Sequence, residues 1–303
     1  MHKVIVSTQM MLADRARFEL ALRKRGCVAT FLGSDQALSE DELLELAPDY
    51  DGWIAGDDAI TRSVLSRLVP KLRVISKWGS GIDSIDLKAA SELGVAVYNS
   101  PGAFAEPVGE MALGYTLALT RGIVTTHMAV LTGGWPKVQT QTLGELHVGV
   151  VGLGAIGLSV ATKLRALGSS VSYSDPNVSN PDFPRQSLND LVAKSDVTII
   201  TCDLNEKTFH LIDSALIHSF KSGAFLVNVS RGPIIEEAAL LMGLSSGRFG
   251  GVALDVFETE PLPRCSDLLA YDNVILGSHN ANNTQAVVEA VHARTIENLV
   301  KSL

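Results

Sequence analysis

The chain has 303 residues, of which 46% are hydrophobic and 19% charged. That is a globular composition, not a disordered one, with length enough for two domains that each close a core. The net charge of -8 argues against the basic face that nucleic acid or an anionic membrane requires, and no run reaches the roughly 18 apolar residues of a spanning helix.

At the start, His2-Lys3-Val4-Ile5-Val6 has the pattern of a first strand and not of a signal peptide. Cys27, Cys202 and Cys265 are odd in number and lack CxxC spacing, so the expectation is reduced thiols, no zinc and a cytoplasmic protein.

Strands and helices alternate, which predicts parallel sheets covered by helices. A strand over Val4–Thr8 precedes a helix over Asp14–Arg25, closed by Gly26, and a strand over Cys27–Leu32. Ser39-Glu-Asp-Glu42 is a capping box opening the next helix. Strands at Gly52–Ala55, Arg73–Ser76 and Val95–Tyr98, with helices near Thr61–Leu68 and Asp86–Leu93, complete five β/α units without a glycine-rich phosphate loop.

Asn99-Ser-Pro-Gly102 breaks the pattern, and a helix follows from about Pro107 to Thr120. Its Ala/Leu run near 111–119 is expected to be core or interface. After a second break at Gly133-Gly-Trp-Pro136, strands are predicted at His147–Val151, Ser170–Ser174, Asp196–Thr201, Ala224–Val229, Gly251–Leu254 and Val274–Leu276, and a final helix over Gln285–Leu303. Two such series joined by glycine and proline imply a cleft between domains, a usual place for a ligand.

The clearest chemical motif is Gly152-Leu-Gly-Ala-Ile-Gly157, a G-x-G-x-x-G between a strand and the helix Ala155–Leu167, with Asp175 at the end of the next strand. Gly152 suits a tight turn, Gly154 the approach of a pyrophosphate to the backbone, and Gly157 helix packing on the strand. The helix N-terminus supplies N–H groups to phosphate. A carboxylate at Asp175 accepts both ribose hydroxyls and repels a 2′-phosphate, so the cofactor expected is NAD, not NADP.

Further along, Arg231 follows the strand in Asn228-Val-Ser-Arg-Gly232, three acids follow another in Leu254-Asp-Val-Phe-Glu-Thr-Glu-Pro261, and His279 follows a third. Arginine, acid and histidine on successive strand ends of a nucleotide-binding domain make a candidate site.

With these residues in view, the chain resembles the D-isomer-specific 2-hydroxyacid dehydrogenases, phosphoglycerate dehydrogenase among them. The matching segments are Lys77-Trp-Gly-Ser-Gly-Ile-Asp83, Asn99-Ser-Pro-Gly102, the glycine motif, Asn228–Gly232, Asp255–Pro261 and His279. The resemblance implies two doubly wound α/β domains. A flavodoxin-like substrate domain spans 1–99 plus 284–303, and a Rossmann NAD-binding domain spans 100–283.

It also implies roles. Arg231 holds the substrate carboxylate and polarises the ketone, His279 delivers the proton, and Glu260 bonds the other ring nitrogen and steadies imidazolium. Lys77 and the backbone N–H groups of Ser80 and Gly81 complete the substrate contacts. Expected cofactor contacts are Gly152, Gly154, Ala155, Ile156, Gly157, Asp175, Cys202, Asp203, Val229, Ser230, Asp255 and Asn280, with Asp255 facing the nicotinamide end. A homodimer through the nucleotide domain is expected.

Departures from the family pattern mark what is particular here. Where the family usually has Thr-Pro-His, this chain has Gly277-Ser-His279, followed by Asn280, Asn282 and Asn283, and altered cofactor or substrate contacts are expected there. Asp203 stands for the usual proline and is either a cofactor contact or a solvated acid. Phe104 replaces an asparagine and narrows the pocket. Ile54-Ala-Gly-Asp-Asp58 carries acids, which would repel a phosphate, where 3-phosphoglycerate enzymes carry arginines, and Lys77 and Arg62 are either anion contacts or, more commonly for such residues, solvated charges. No C-terminal regulatory extension is evident.

The expected substrate is therefore a small 2-keto acid of the glyoxylate or hydroxypyruvate kind, not 3-phosphohydroxypyruvate. An NAD(H)-sensing corepressor-like protein and a dehydrogenase of another small anion are the competing readings. The other histidines lack matched partners in sequence and are expected to be structural or exposed, and Cys202 to be buried.

Overall fold

A computed structural model describes residues 1–33, 37–46 and 48–303. The chain divides into two compact units, Met1–Ala103 with Thr284–Leu303, and Phe104–Asn283. The first junction falls a few residues beyond the expected 99/100 boundary. Asn99 Nδ2 donates to Ser80 O and Ser100 N donates to Gly79 O, so the Ser-Pro-Gly turn stays tied to the first unit.

In the first unit the strands are β1 His2–Val6, β2 Cys27–Phe31, β3 Gly52–Ala55, β4 Val74–Lys77 and β5 Ala96–Tyr98, all parallel in the order β2-β1-β3-β4-β5. That is the flavodoxin-like order. β3 and β4 are buried along their whole length, as strands covered on both faces must be. Trp53 is fully buried and its indole N–H donates to Ser7 Oγ at 2.8 Å, so the largest core side chain leaves no polar group unmet.

The capping box forms as predicted, with Glu42 N donating to Ser39 Oγ and Ser39 N to Glu42 Oε2. The last helix, Gln285–Lys301, belongs to this unit. Ser76 Oγ donates to Thr295 O at 2.8 Å, and a side chain on Gly52 would lie 2.8 Å from Leu299 Cδ1, so the glycine lets helix meet sheet.

The second unit holds β6 His147–Val151, β7 Ser170–Ser174, β8 Val197–Ile200, β9 Ala224–Asn228, β10 Phe249–Leu254 and β11 Val274–Leu276, parallel in the order β11-β10-β9-β8-β6-β7. Beyond β7 lies a single bridge, Tyr173 to Arg185, where the doubly wound order calls for another strand. Pro181 and Pro184 flank it, and without N–H groups they cannot extend a ladder.

A helix that the sequence pattern did not predict, Ile123–Leu131, follows the helix Ala105–Thr120, and none of its residues is buried.

Candidate active site

The glycine loop has the form its spacing predicts. Gly152 sits at φ +91°, and a side chain there would lie 2.6 Å from the backbone of Cys202, so both turn and packing exclude one. A Cβ on Gly157 would stand 2.1 Å from the carbonyl oxygen of Gly152, which seats the helix Ala155–Ala166 directly on the strand end.

Gly154 is different. Its φ is an ordinary -69° and a Cβ there would meet nothing within 4 Å. The protein itself makes no demand for glycine at that position. The open space above it, at the N-terminus of a 12-residue helix with Ala155 and Ile156 in its first turn, fits a pyrophosphate.

Asp175 closes the loop from the end of β7. Leu153 N donates to one carboxylate oxygen at 2.8 Å, and Asn177 N and Val178 N donate to the other at 2.8 and 2.9 Å. Burial works against the charge, but these three N–H groups outweigh it and hold the carboxyl below its usual range. The residues present therefore suit a dinucleotide with unmodified ribose.

Cys202 underlies the loop. Burial pushes its thiol up to about 12, so it is not a nucleophile. Its carbonyl accepts the Ser230 hydroxyl, and Val229 is buried beside it. Asp203 is exposed, and its carbonyl accepts the Thr208 hydroxyl at 2.6 Å.

His279 lies three residues past the end of β11 in this unit, at φ +54°. Its Nδ1 is 2.7 Å from Glu260 Oε2, while Glu260 Oε1 accepts Phe257 N at 2.9 Å. Histidine adopts the left-handed region more readily than most residues, yet holding it there costs on the order of 1 kcal/mol. That cost is met locally: His279 N donates to Asp255 O at 2.7 Å.

Arg231 follows β9. Its carbonyl accepts Asn228 Nδ2 at 2.9 Å, and its own Nη1 donates to Ser230 O at 2.9 Å. A Cβ on Gly232 would fall 1.8 Å from the carbonyl carbon of Phe257, so the arginine turn lies flat against the loop that carries Glu260.

Asp255 is 1% exposed. Its carboxylate already accepts Tyr115 Oη, Asn280 N and Ala281 N, which leaves one of about four acceptor positions. The asparagine cluster is partly self-bonded, with Asn283 Nδ2 donating to Asn280 Oδ1 at 2.8 Å.

Lys77, Ser80 and Gly81 belong to the first unit, at and just beyond the end of β4. Lys77 is not a solvated charge. It is 3% exposed and its Nζ lies 2.7 Å from Asp57 Oδ1. Nor are Asp57 and Asp58 two surface charges set against phosphate. Asp58 is buried and accepts Ser7 Oγ, Gly56 N and Leu38 N, and Asp57 is ion-paired. Arg62 is exposed but pairs with Glu92. Phe104 is buried.

Several histidines expected to lack matched partners have them, His147 between Ser170 Oγ and Ser172 Oγ among them. His210 Nε2 is 2.7 Å from Glu258 Oε1, and His292 Nδ1 accepts the Trp78 indole N–H at 3.0 Å. Tyr115 was hidden in an apolar run; the one signal was the unusual glycine at 277, against which its hydroxyl packs.

The chain is similar to known proteins over most of its length. Residues 113–281 match the family model described as D-isomer specific 2-hydroxyacid dehydrogenase, NAD binding domain. The chain is 33% identical over 298 residues to a glyoxylate reductase of Thermofilum pendens, covering 94% of this chain and 88% of that one. It is 31% identical over 298 residues to a hydroxypyruvate reductase of Thermotoga maritima, covering 96% and 95%. Among solved structures, D-lactate dehydrogenase from Aquifex aeolicus, complexed with NAD and lactic acid, is similar with a TM-score of 0.85 at 25% identity, over 97% of this chain and 93% of that chain.

Proposed function

This chain belongs to the D-isomer specific 2-hydroxyacid dehydrogenase family, and from that premise we propose that it reduces a small, unphosphorylated 2-keto acid of the glyoxylate or hydroxypyruvate kind. It is an NAD-dependent oxidoreductase that moves a hydride between nicotinamide and a 2-keto or 2-hydroxy acid. The observation that carries the catalytic reading is the 2.7 Å contact between His279 Nδ1 and Glu260 Oε2.

When bound, NADH supplies the hydride. The chain's own residues do the rest. The tether through Nδ1 assigns Nε2 of His279 to the proton that the carbonyl oxygen receives, and Glu260 steadies the imidazolium before transfer. The planar fork of Arg231 holds the substrate carboxylate and draws charge from the ketone. Backbone N–H groups of Ser80 and Gly81, with Lys77, are the proposed anion contacts of the first unit. Gly152, Gly154, Ala155, Ile156 and Gly157 cradle the pyrophosphate, and Asp175 takes the ribose hydroxyls. Cys202, Asp203, Val229, Ser230, Asp255 and Asn280 line the remainder of the cofactor site. The division into a substrate domain and an NAD-binding domain is part of the same reading.

The preference against a phosphorylated substrate is supported by the pairing of Arg62 with Glu92. A panel of 2-keto acids with NADH and NADPH, followed at the nicotinamide absorbance, tests it. Turnover of 3-phosphohydroxypyruvate equal to that of the best unphosphorylated acid overturns the substrate class. NADH binding with no turnover on any acid overturns the enzymatic reading in favour of a sensor.

A homodimer in the cytoplasm belongs to the proposal. The helix Ile123–Leu131 leaves Ile123, Met128 and Leu131 more than half exposed, and Trp135 just beyond it is 78% exposed. Apolar surface of that extent suits a second copy of the chain. No helix among the described residues is long and apolar enough to cross a membrane. A monomeric mass in solution would remove the dimer from the proposal.

A further inference from the structure

We infer that Tyr115 is a positioning residue of this reaction: its hydroxyl, acting through Asp255, fixes the backbone on which His279 stands. This rests on His279 as the proton donor.

His279 holds a left-handed backbone at φ +54°. Three consecutive N–H groups of its loop end on one residue. His279 N donates to Asp255 O, and Asn280 N and Ala281 N donate to the Asp255 carboxylate at 3.3 and 2.9 Å. A carboxylate 1% exposed keeps its charge and its place only if its oxygens are bonded. Two of its donors come from the loop it must hold, and so cannot anchor it independently. The third is Tyr115 Oη, at 2.9 Å, from the separate helix Ala105–Thr120.

The fit is specific. A Cβ at Gly277 would lie 2.2 Å from Tyr115 Oη and 2.3 Å from Asp255 Oδ1, so the phenol occupies the volume that a side chain at 277 would need. Where the pattern of this family has a threonine, the chain has a glycine and brings a hydroxyl from 162 positions earlier in the sequence, at residue 115. Tyrosine and glycine thus act as a pair: the bare backbone at 277 admits both the phenol and the carboxylate it bonds.

The test is steady-state kinetics on the whole enzyme with NADH and its best 2-keto acid. Tyr115→Phe keeps the ring and removes the donor. The expected result is a fall in kcat of about tenfold, the size of effect a small misplacement of a reacting group produces. NADH affinity and Tm stay near the parent values, and the pH profile of kcat/KM is displaced. Tyr115→Leu, which removes the ring as well as the donor, shows at least the same loss.

Unchanged kcat and an unchanged pH profile in Tyr115→Phe, with His279→Ala inactive, overturn the role of Tyr115 alone. So does a loss that only follows a fall in Tm, with the pH profile unmoved. Full turnover in His279→Ala overturns the proton-donor assignment and this inference with it.

Discussion

Glu260 grips His279 with one carboxylate oxygen and its own loop with the other: Oε2 meets Nδ1 at 2.7 Å, and Oε1 accepts Phe257 N at 2.9 Å. The two contacts separate orientation from charge. Glu260→Gln can keep the geometry but not the attraction for imidazolium. The expected outcome is a fall in kcat of about 100-fold, within the range for general acid–base assistance, with the KM for NADH little changed. Initial rates across a pH series check it.

Asp175 has two duties, since the oxygens proposed for the ribose also accept Leu153, Asn177 and Val178 N–H. Asp175→Ala is expected to raise the KM for NADH by roughly tenfold to 100-fold, the worth of hydrogen bonds to a charged group. It should narrow the preference for NADH over NADPH and lower Tm as the turn loses its anchor. Parallel titrations with both cofactors, beside a melting curve, measure this.

Stability should decline on mild acidification. Burial lowers the pKa of His292 below its ordinary 6.5, and that of His147 likewise. A folded pKa below the unfolded one means that the unfolded chain binds more protons in this window. Stability is therefore full above about pH 6.5 and lost as pH falls through the depressed value. His292 Nδ1 must also stay unprotonated to accept the Trp78 indole. His292→Gln should flatten the dependence of Tm on pH between about 7 and 5; an equally steep slope would show that the histidine is not its source.

Gly157 offers a purely steric test. A methyl group there meets the Gly152 carbonyl oxygen at 2.1 Å, and backbone cannot yield as a side-chain tip does. Gly157→Ala is expected to destabilise the second unit by about 2 kcal/mol, typical of overpacking. NADH binding should weaken with it, because the displaced turn carries the phosphate contacts. Denaturant midpoints and fluorescence titration report both.

Much of this was legible in the sequence because the sheets are parallel and covered on both faces. Runs such as Val197–Ile200 are β-branched at every position and buried throughout. The glycine loop with its acid was legible because backbone approach leaves a spacing in sequence.

Three features were not. The Arg185 bridge carries no run, since Pro181 and Pro184 confine it to one residue. The helix Ile123–Leu131 interrupts its apolar residues with Thr125, Thr126 and His127 in a row and shows no buried face to create a period. Partner choice also escaped: Glu258 and Glu260 stand two positions apart, yet one meets His210 and the other His279. The bond from Tyr115 to Asp255 spans 140 positions, beyond any local pattern.

The flat contact of Gly232 on the Phe257 carbonyl has a further consequence. The spacing between the arginine turn and the acid loop is set by atomic volume, which neither ionic strength nor protonation alters. Salt and pH can then change how strongly these groups attract a substrate, but not the gauge at which they stand. The expected outcome in high salt is weaker capture of the substrate anion, seen as a raised KM that returns to its starting value on dilution.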